Sequence, residues 1–357
     1  MTMIQTNITM IETYQLITIS DKERWNEVVK NSYIYDFYHT WYYHSLESSG
    51  EPVLFVYEHG DSYLALPLLK RSIENSEYND FSSVYGYAGP ISNLPFEDID
   101  NDMIEGFKQS FLDYLNKNNF VSVFSRLHPV IKQNLVLDKL GGIFENGKTV
   151  AIDLQLPFDV QRLKYRKAIR QKINQLRRKG YTVKEADNKE DISEFIEIYN
   201  QNMVKVNASS YYYFTEQYFL EMLNSSEFES KLLLAYDNET IAAGALVTFS
   251  NNIMQFHLAA TKNEYLYEAP MKLLIEEAGI IGKELNMHFL HLGGGVGGKE
   301  DSLFEFKSGF SDLHLNFQTW RFIVNKPVYD QLVKERCSHN PDPNNSIFPL
   351  YRNTSSN

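Results

Sequence analysis

Cysteine is nearly absent from the 357 residues: Cys337 stands alone, so neither an intrachain disulfide framework nor a cysteine-rich zinc site can form. The nine histidines (His39, His44, His59, His128, His257, His288, His291, His314 and His339) show no H-E-x-x-H or other metal-ligand spacing, and no metal site is expected. No G-x-S-x-G elbow occurs, and Cys337 sits in a polar tail, so serine, cysteine and metallo-hydrolase chemistries all fall away. No run of 18 apolar residues is present to span a bilayer. Met1 to Met10 has neither the positive start nor the apolar stretch of a secretory leader. The chain also lacks a basic excess: its net charge of -12 argues against a surface built for duplex nucleic acid. A cytoplasmic enzyme or binding protein is the expectation that remains.

Aromatic residues are abundant. Tyr contributes 24 and Phe 23, within a hydrophobic share of 43%, which is enough for a sizeable core and for ring-lined pockets. The length suits about two domains at roughly 150 residues each. A duplicated order of elements supports that division. Three strands, PVLFVYEHG, DSYLALPLLKR and FSSVYGYAGP, precede a helix over Glu97 to Lys117 and a further strand, FVSVFSRL. The same order returns as KLLLAYDNE, TIAAGALVTF and NIMQFHLAAT, a helix entered at Pro270, and MHFLHL. Between the copies, Val160 to Lys179 carries nine Lys or Arg and no acid, with Ile169, Ile173 and Leu176 at helical spacing and Gly180 as the stop. After Pro327 comes a short amphipathic helix and then the turn-rich NPDPNNS.

Several residues could carry chemistry. Gly293 to Lys299 fits G-x-x-x-x-G-K after a strand, but Glu300 and Asp301 follow where a Ser or Thr should hold magnesium, so the match reads as a strand-to-helix connection rather than a phosphate loop. Asp301 or Ser302 can cap the next helix, whose Leu303, Phe306 and Phe310 share a face and read as core. Lys307, at the edge of that face, either snorkels or points into a cleft. Six rings crowd Tyr211, Tyr212, Tyr213, Phe214, Tyr218 and Phe219, and three consecutive tyrosines cannot all face inward. Tyr85 and Tyr87 lie beside Gly86 and Gly89, which allow close backbone approach. His257 falls in a strand, where a satisfied core histidine competes with a functional one.

The basic helix YRKAIRQKINQLRRKGYTV, the pair KLLLAYDNETIAAGALVTF, the segment LHLGGGVGGKEDSLFEFKSGFS and the closing IFPLYR resemble the FemAB-type branch of the GNAT superfamily, which holds peptidoglycan-bridge aminoacyltransferases and FemAB-like acetyltransferases. The resemblance runs from about Val53 to Arg352. It implies an α/β (α+β) fold of two tandem GNAT-like domains, each a mixed twisted sheet flanked by helices. The boundaries expected are 1–155, with 325–357 packing back on it, and 156–324, which holds the basic helix 160–179. The resemblance also implies an acyl- or aminoacyltransferase that forms an amide on an amine acceptor. No tightly bound cofactor is implied; the donor would be an aminoacyl-tRNA or acyl-CoA. The acceptor would be an amine-bearing cell-envelope precursor, lipid-linked, peptide-linked or nucleotide-linked, and tRNA would be a partner if it carries the donor. Lys307 of the Phe306-Lys307 pair takes the position of the family's active-site lysine, where a fixed cation would stabilise the negative oxygen of the tetrahedral intermediate.

The sequence departs from the family in two places. Ala88-Gly89-Pro90 with Asn93 stands where bridge-forming members carry Arg-Gly-Pro and an Asp. KNEYLYEAP has no glycine where CoA-binding GNAT domains have a phosphate-holding turn. Two rivals therefore stand beside the leading reading: a CoA-dependent N-acyltransferase on an amino sugar, and a non-catalytic binder of an anionic sugar-linked ligand. Tyr85, Tyr87, Tyr212, Tyr213 and His257 are expected to line the substrate, with Arg166, Arg170 and Arg177 on its phosphates. Domain junctions are common ligand sites, which is where the main cavity is expected. The sequence leaves the oligomeric state open.

Overall fold

A computed structural model describes residues 13–208, 212–337 and 347–353. The described residues open with β1 (Thr13–Thr18) and α1 (Lys22–Lys30), then a 3-10 turn (Phe37–His39) and α2 (Trp41–Ser45). There follow β2 (Glu51–His59), β3 (Ser62–Ser72), β4 (Asn79–Ser82), β5 (Ile91–Ser92), α3 (Asn101–Lys117), β6 (Phe120–Arg126), α4 (Asn134–Leu137) and β7 (Ile143–Asp153). The middle of the chain holds α5 (Phe158–Leu163), α6 (Lys167–Arg178), β8 (Thr182–Glu185), α7 (Lys189–Lys205) and α8 (Glu216–Leu223). Then come β9 (Glu229–Asp237), β10 (Thr240–Ser250), β11 (Ile253–Thr261), α9 (Met271–Glu284), β12 (Phe289–Gly294), α10 (Ser302–Lys307), β13 (Leu313–Ile323) and α11 (Lys326–Arg336).

These elements form two compact units. Of the described residues, unit 1 takes those up to Ile34, Glu47–Phe144 and those from Thr319 onward, and unit 2 takes Tyr35–Leu46 and Glu145–Gln318. The strands of unit 1 run in the order β1-β2-β3-β4-β6-β13, all antiparallel neighbours except β4 and β6, which are parallel. Those of unit 2 run β8-β9-β10-β11-β12-β7, again antiparallel except for the parallel pair β11 and β12. The two orders match strand for strand, so the repeat read in the sequence is a repeat of topology. Parallel neighbours need a crossover, which α3 supplies in unit 1 and α9 in unit 2. In each unit the strand beyond the parallel pair comes from the segment that follows the other copy in the chain.

Local chemistry explains the element ends. Asp100 caps α3 by accepting from Met103 N at 2.8 Å, and Asn119 takes φ 57° just past its end. The α3 face Met103, Phe107, Phe111 and Leu115 is buried against Phe55, Phe81 and Val123. Each such side chain contributes about 1.5–3 kcal/mol. The β10–β11 hairpin turns on Asn251 (φ 41°) and Asn252 (φ 67°), and two successive positive values suit the right-handed twist of the flanking strands. The unit 2 core gathers Ile169, Ile173 and Leu176 of α6 with Leu273, Leu274 and Ala278 of α9 and Leu290 of β12.

Four details differ from the sequence reading. The basic segment is two helices, α5 and α6, because Arg166 begins a new helix with extended ψ and its N–H turns to Gly309 O at 2.8 Å. The strand FSSVYGYAGP pairs only at its start. It leaves the sheet after Ser82 and touches β6 again by an isolated bridge from Ala88 to Leu127. In α10 it is Phe304 that is buried, at 3% exposure, while Leu303 is exposed, since Asp301 caps the helix and sets its rotation. Finally, Tyr35–Leu46 packs within unit 2 although the chain on either side of it belongs to unit 1. NPDPNNS and Tyr211 lie outside the described residues.

Candidate active site

In unit 2 the parallel strands β11 and β12 pair over only three positions, Ile253 with Phe289, Met254 with Leu290 and Gln255 with His291. Beyond Gln255 they separate. One cause is visible in the pairing of β10 with β11, which runs from Leu246–Leu258 directly to Val247–Phe256 and leaves His257 as an extra residue. Such a bulge bends its strand and re-aims a side chain. Diverging carboxyl ends of neighbouring parallel strands make the crevice where open α/β sheets hold ligands.

One wall of the crevice is the glycine-rich end of β12. Gly295 can carry no side chain, since a Cβ there would stand 2.1 Å from Lys299 O and 2.3 Å from Asp301 Oδ1. Asp301 accepts from Val296 N, Leu303 N and Phe304 N at 2.9–3.0 Å, so it ties the turn to α10 and holds that helix in place. These bonds keep its carboxyl below the usual carboxylate range although burial pushes the other way. From the last turn of α10, Lys307 donates from Nζ to Gly294 O at 2.8 Å. Its exposed area makes the residue half-buried, yet its ammonium is enclosed deeply enough for burial to lower its pKa to about 8, against the Asp301 charge. Phe306 is half-buried and meets Phe310 edge-on at 5.6 Å between ring centres.

The other wall is β11. His257 is half-buried there, and burial drops its pKa to about 3 although the charge of Asp36 favours the cation. Strands rise about 3.3 Å per residue, so His257 and Gly294, two and three residues past the last pair, stand at similar depth along the two walls. The hydroxyls found on the His257 ring are those of Tyr218, 2.8 Å from Nε2, and Tyr38, 3.3 Å from Nδ1. The sequence reading missed both in this role. Tyr218 was visible as one ring of a cluster, whereas Tyr38 comes from the inserted segment and carried no signal.

Tyr212 and Tyr213 are exposed at 37% and 41%, as three successive tyrosines required, and the Tyr212 main-chain oxygen accepts from Tyr199 Oη at 2.9 Å. Tyr85 and Tyr87 lie in unit 1, half-buried in the loop that leaves β4, with Tyr87 edge-on to His128. Of the three arginines, Arg166 donates to the Glu305 carboxylate at 2.9 Å and Arg177 pairs with Glu276 and Glu277. Arg170 is half-buried and faces no carboxylate within ion-pair distance among the described residues. A cavity of ≈ 650 Å³ on α7, bordered by Ser193, Glu197, Asn200, Gln201 and Lys205, has none of these site residues in its lining. Among the described residues, no cluster of His, Cys, Asp and Glu could hold a metal ion, and no helix is long and apolar enough to cross a membrane.

Residues 164–307 match the model of the acetyltransferase (GNAT) domain, a stretch that ends on Lys307. Among solved structures, FemX is 12% identical with a TM-score of 0.67 over 89% of this chain and 99% of its own. A conserved protein of unknown function from Bacteroides thetaiotaomicron is 11% identical, TM-score 0.56, over 88% of this chain and 100% of its own. The C-terminal domain of a putative lysylphosphatidylglycerol synthetase from Agrobacterium fabrum is 13% identical, TM-score 0.53, over 85% and 91%. No curated protein matches. The resemblance read from the basic helix and the Gly-rich segment therefore holds at the level of domain and fold: residues 164–307 match a GNAT acetyltransferase domain, and the chain shares the fold of FemX.

Proposed function

We propose that this protein transfers an acyl or aminoacyl group to an amine of a cell-envelope precursor, in the crevice between β11 and β12, with Lys307 stabilising the oxyanion. The observation that carries this reading is the seat of Lys307. Its ammonium has three N–H donors, and the hydrogen-bond acceptor it meets among the described residues is the single carbonyl of Gly294. The cation is fixed by the protein but retains donors for a developing negative oxygen. Attack of an amine on an ester or thioester places that charge on the carbonyl oxygen, where one pre-placed donor is worth about 3–4 kcal/mol. The FemX-like fold and the phenols of Tyr218 and Tyr38 on the His257 ring support this acceptor class, since phenols suit a sugar or nucleotide.

A second reading of the donor has its own support. Just before α9, Ala269 holds φ 51°, a left-handed backbone that alanine adopts only at a cost, in the turn where CoA-binding GNAT domains place glycine. Lys272, in the first turn of α9, has its pKa lowered by burial and by the charge of Lys172, which is itself paired with Glu268 of that turn at 3.1 Å, so Lys272 is the cation the turn offers a phosphate. These features favour acyl-CoA, whereas the missing glycines favour aminoacyl-tRNA. The test is single-turnover transfer from radiolabelled acetyl-CoA and from alanyl-tRNA to UDP-linked and lipid-linked amino-sugar peptides. Label appearing in an amide from one donor identifies it. No amide from either, with intact folding, would reject the transferase role for this acceptor class.

A further inference from the structure

A large apolar side chain exposed singly needs no explanation, but several gathered around unpaired cations make a surface with a use. In unit 2, α6 carries such a surface. It buries Ile169, Ile173 and Leu176. Lys167, Gln171, Asn174 and Arg178 follow at i, i+4, i+7 and i+11, all exposed, and form the stripe that faces away from the core. Six of the nine cations of Val160 to Lys179 meet carboxylates. Among the described residues Lys167 and Arg178 meet none, so the outward stripe keeps its positive charge.

Both flanks of the stripe are apolar. On one, α5 exposes Val160 and, at 68%, Leu163, one turn apart. Its own arginine fixes it there: Arg162 gives Nε to the buried Glu276 at 2.6 Å and Nη2 to Asn174, at the edge of the stripe, at 2.7 Å. On the other flank, the turn before α9 exposes Leu266 and, at 91%, Tyr267. Ala269 N closes that turn on Tyr265 O at 3.1 Å, and Glu268 ties it to α6 through Lys172 at 3.1 Å and Lys179 at 2.8 Å. The Tyr267 ring centre lies 5.8 Å from Lys172 Nζ. Lys172 and Asn174 are two residues apart and so leave the helix on opposite sides, which puts one apolar pair on each side of α6. Both pairs are anchored by ion pairs and hydrogen bonds, so the fold presents these side chains to solvent rather than letting them fray.

We propose that this face of unit 2 docks on an anionic bilayer surface, with Leu163 and Tyr267 entering the headgroup region on either side of α6 while Lys167 and Arg178 meet lipid phosphates. The observations favour a bilayer over RNA. Val160, Leu163 and Leu266 are aliphatic and bring nothing to a nucleic-acid backbone, whereas the headgroup boundary removes them from water. Tyrosine suits that boundary, because its ring is apolar and its hydroxyl stays wet. The charge is complementary as well: a chain of net charge -12 is repelled by an anionic surface unless it approaches through a face whose cations outnumber its acids. Apolar groups or cations alone hold a protein on a membrane weakly, and the two together hold it firmly. The purpose of the contact rests on the envelope-precursor reading above, for which it selects the lipid-linked acceptor: docking keeps the enzyme at the surface where such an acceptor lies.

Flotation of the full chain with vesicles tests this without donor or acceptor. The chain should bind vesicles of equal parts phosphatidylcholine and phosphatidylglycerol, and bind pure phosphatidylcholine at least about tenfold less. Leu163→Glu and Tyr267→Ser should each lower partitioning into the mixed vesicles about tenfold. Lys167→Gln with Arg178→Gln should lower it about 25-fold, at about fivefold for each charge. All four positions are exposed, so the melting temperatures should match the wild type and show that the fold is kept. No binding to the mixed vesicles, or binding that Leu163→Glu and Tyr267→Ser leave unchanged, overturns the proposal. Filter binding of unfractionated tRNA is the parallel arm. Loss of tRNA binding in Lys167→Gln with Arg178→Gln, without loss of vesicle binding, gives the face to RNA and overturns the proposal as well. Vesicle binding by a chain inert with every donor and amine would remove the acyl-transfer reading and leave the docking face standing.

Discussion

A lysine that gives one N–H to a main-chain carbonyl still has two to offer, and Lys307 is held in that condition by Gly294 O. Lys307→Met should lower kcat at least about 10²-fold while leaving the fold intact, because the stem stays apolar and the lost ammonium was costly to bury. Thermal melting beside kcat decides the matter: a collapsed melting temperature with normal turnover of the folded fraction would make Lys307 structural. Its pH dependence carries a second prediction. The folded pKa of about 8 lies below the ordinary lysine value, so the folded chain sheds this proton first as pH rises. Turnover that needs the ammonium should fall above about pH 8. Stability should move oppositely, since between about pH 8 and the ordinary lysine value the unfolded chain binds more protons and this group's contribution rises with pH. A rate that climbs through that window would exclude the cation from the chemistry. Spacing alone left Lys307 either snorkelling or aimed into a cleft, and its active-site position came from the resemblance to the FemAB-type branch. The partners of His257 were not legible, because they lie 39 and 219 residues away in the chain and nothing local ties them to it.

The basic stretch shows how far one element can be read from its letters. Its charge was plain, and so were the apolar positions Ile169, Ile173 and Leu176, which are buried. Its carboxylate partners could not be read, since they come from distant elements: Glu268 and the α9 pair Glu276 and Glu277, then Glu305 of α10 and Asp312 beyond it. Glu276 is fully buried between Arg162 and Arg177, so those two arginines hold the helices together. Of Arg166, Arg170 and Arg177, Arg170 has no such engagement among the described residues, which leaves its guanidinium to meet a ligand phosphate. Arg170→Gln should flatten the salt dependence of acyl-CoA binding between about 50 and 200 mM salt by one counterion's share. Arg166→Gln, which removes a group already paired to an exposed acid, should change that slope less. Equal slopes in wild type and Arg170→Gln, read by calorimetry, would leave the helix a purely structural brace.

At the scale of the molecule, the duplication was legible because turn residues and strand patterns repeat in order, whereas the composition of each unit was not. The expected division, 1–155 with 325–357 packing back and 156–324, kept β7 whole in the first unit and β13 whole in the second, yet unit 1 takes the end of β13 and unit 2 takes most of β7. The C-terminal residues add to unit 1. Buried Asp80 receives Arg71 Nε at 2.8 Å, Arg352 Nε at 2.6 Å and the Tyr351 hydroxyl at 2.9 Å. Tyr351 also meets Ser122 of β6 at 2.8 Å, so IFPLYR closes over β4 and β6 by hydrogen bonds as well as by ring packing on Tyr329. Removing one partner of a buried ion pair costs about 3–5 kcal/mol, and Arg71 remains to limit the loss. Arg352→Ala should therefore destabilise the chain by about 3 kcal/mol, read as a lower denaturant midpoint at constant slope. Asp80→Asn with Arg352→Ala should recover part of it, because the buried charge leaves together with its partner. A fragment 1–155 lacks both this closure and the strand Thr319–Ile323, and should fail to unfold cooperatively when expressed alone. A sharp two-state transition for that fragment would mean that β1 to β6 with α3 suffice for unit 1, and that the C-terminal segment only decorates it.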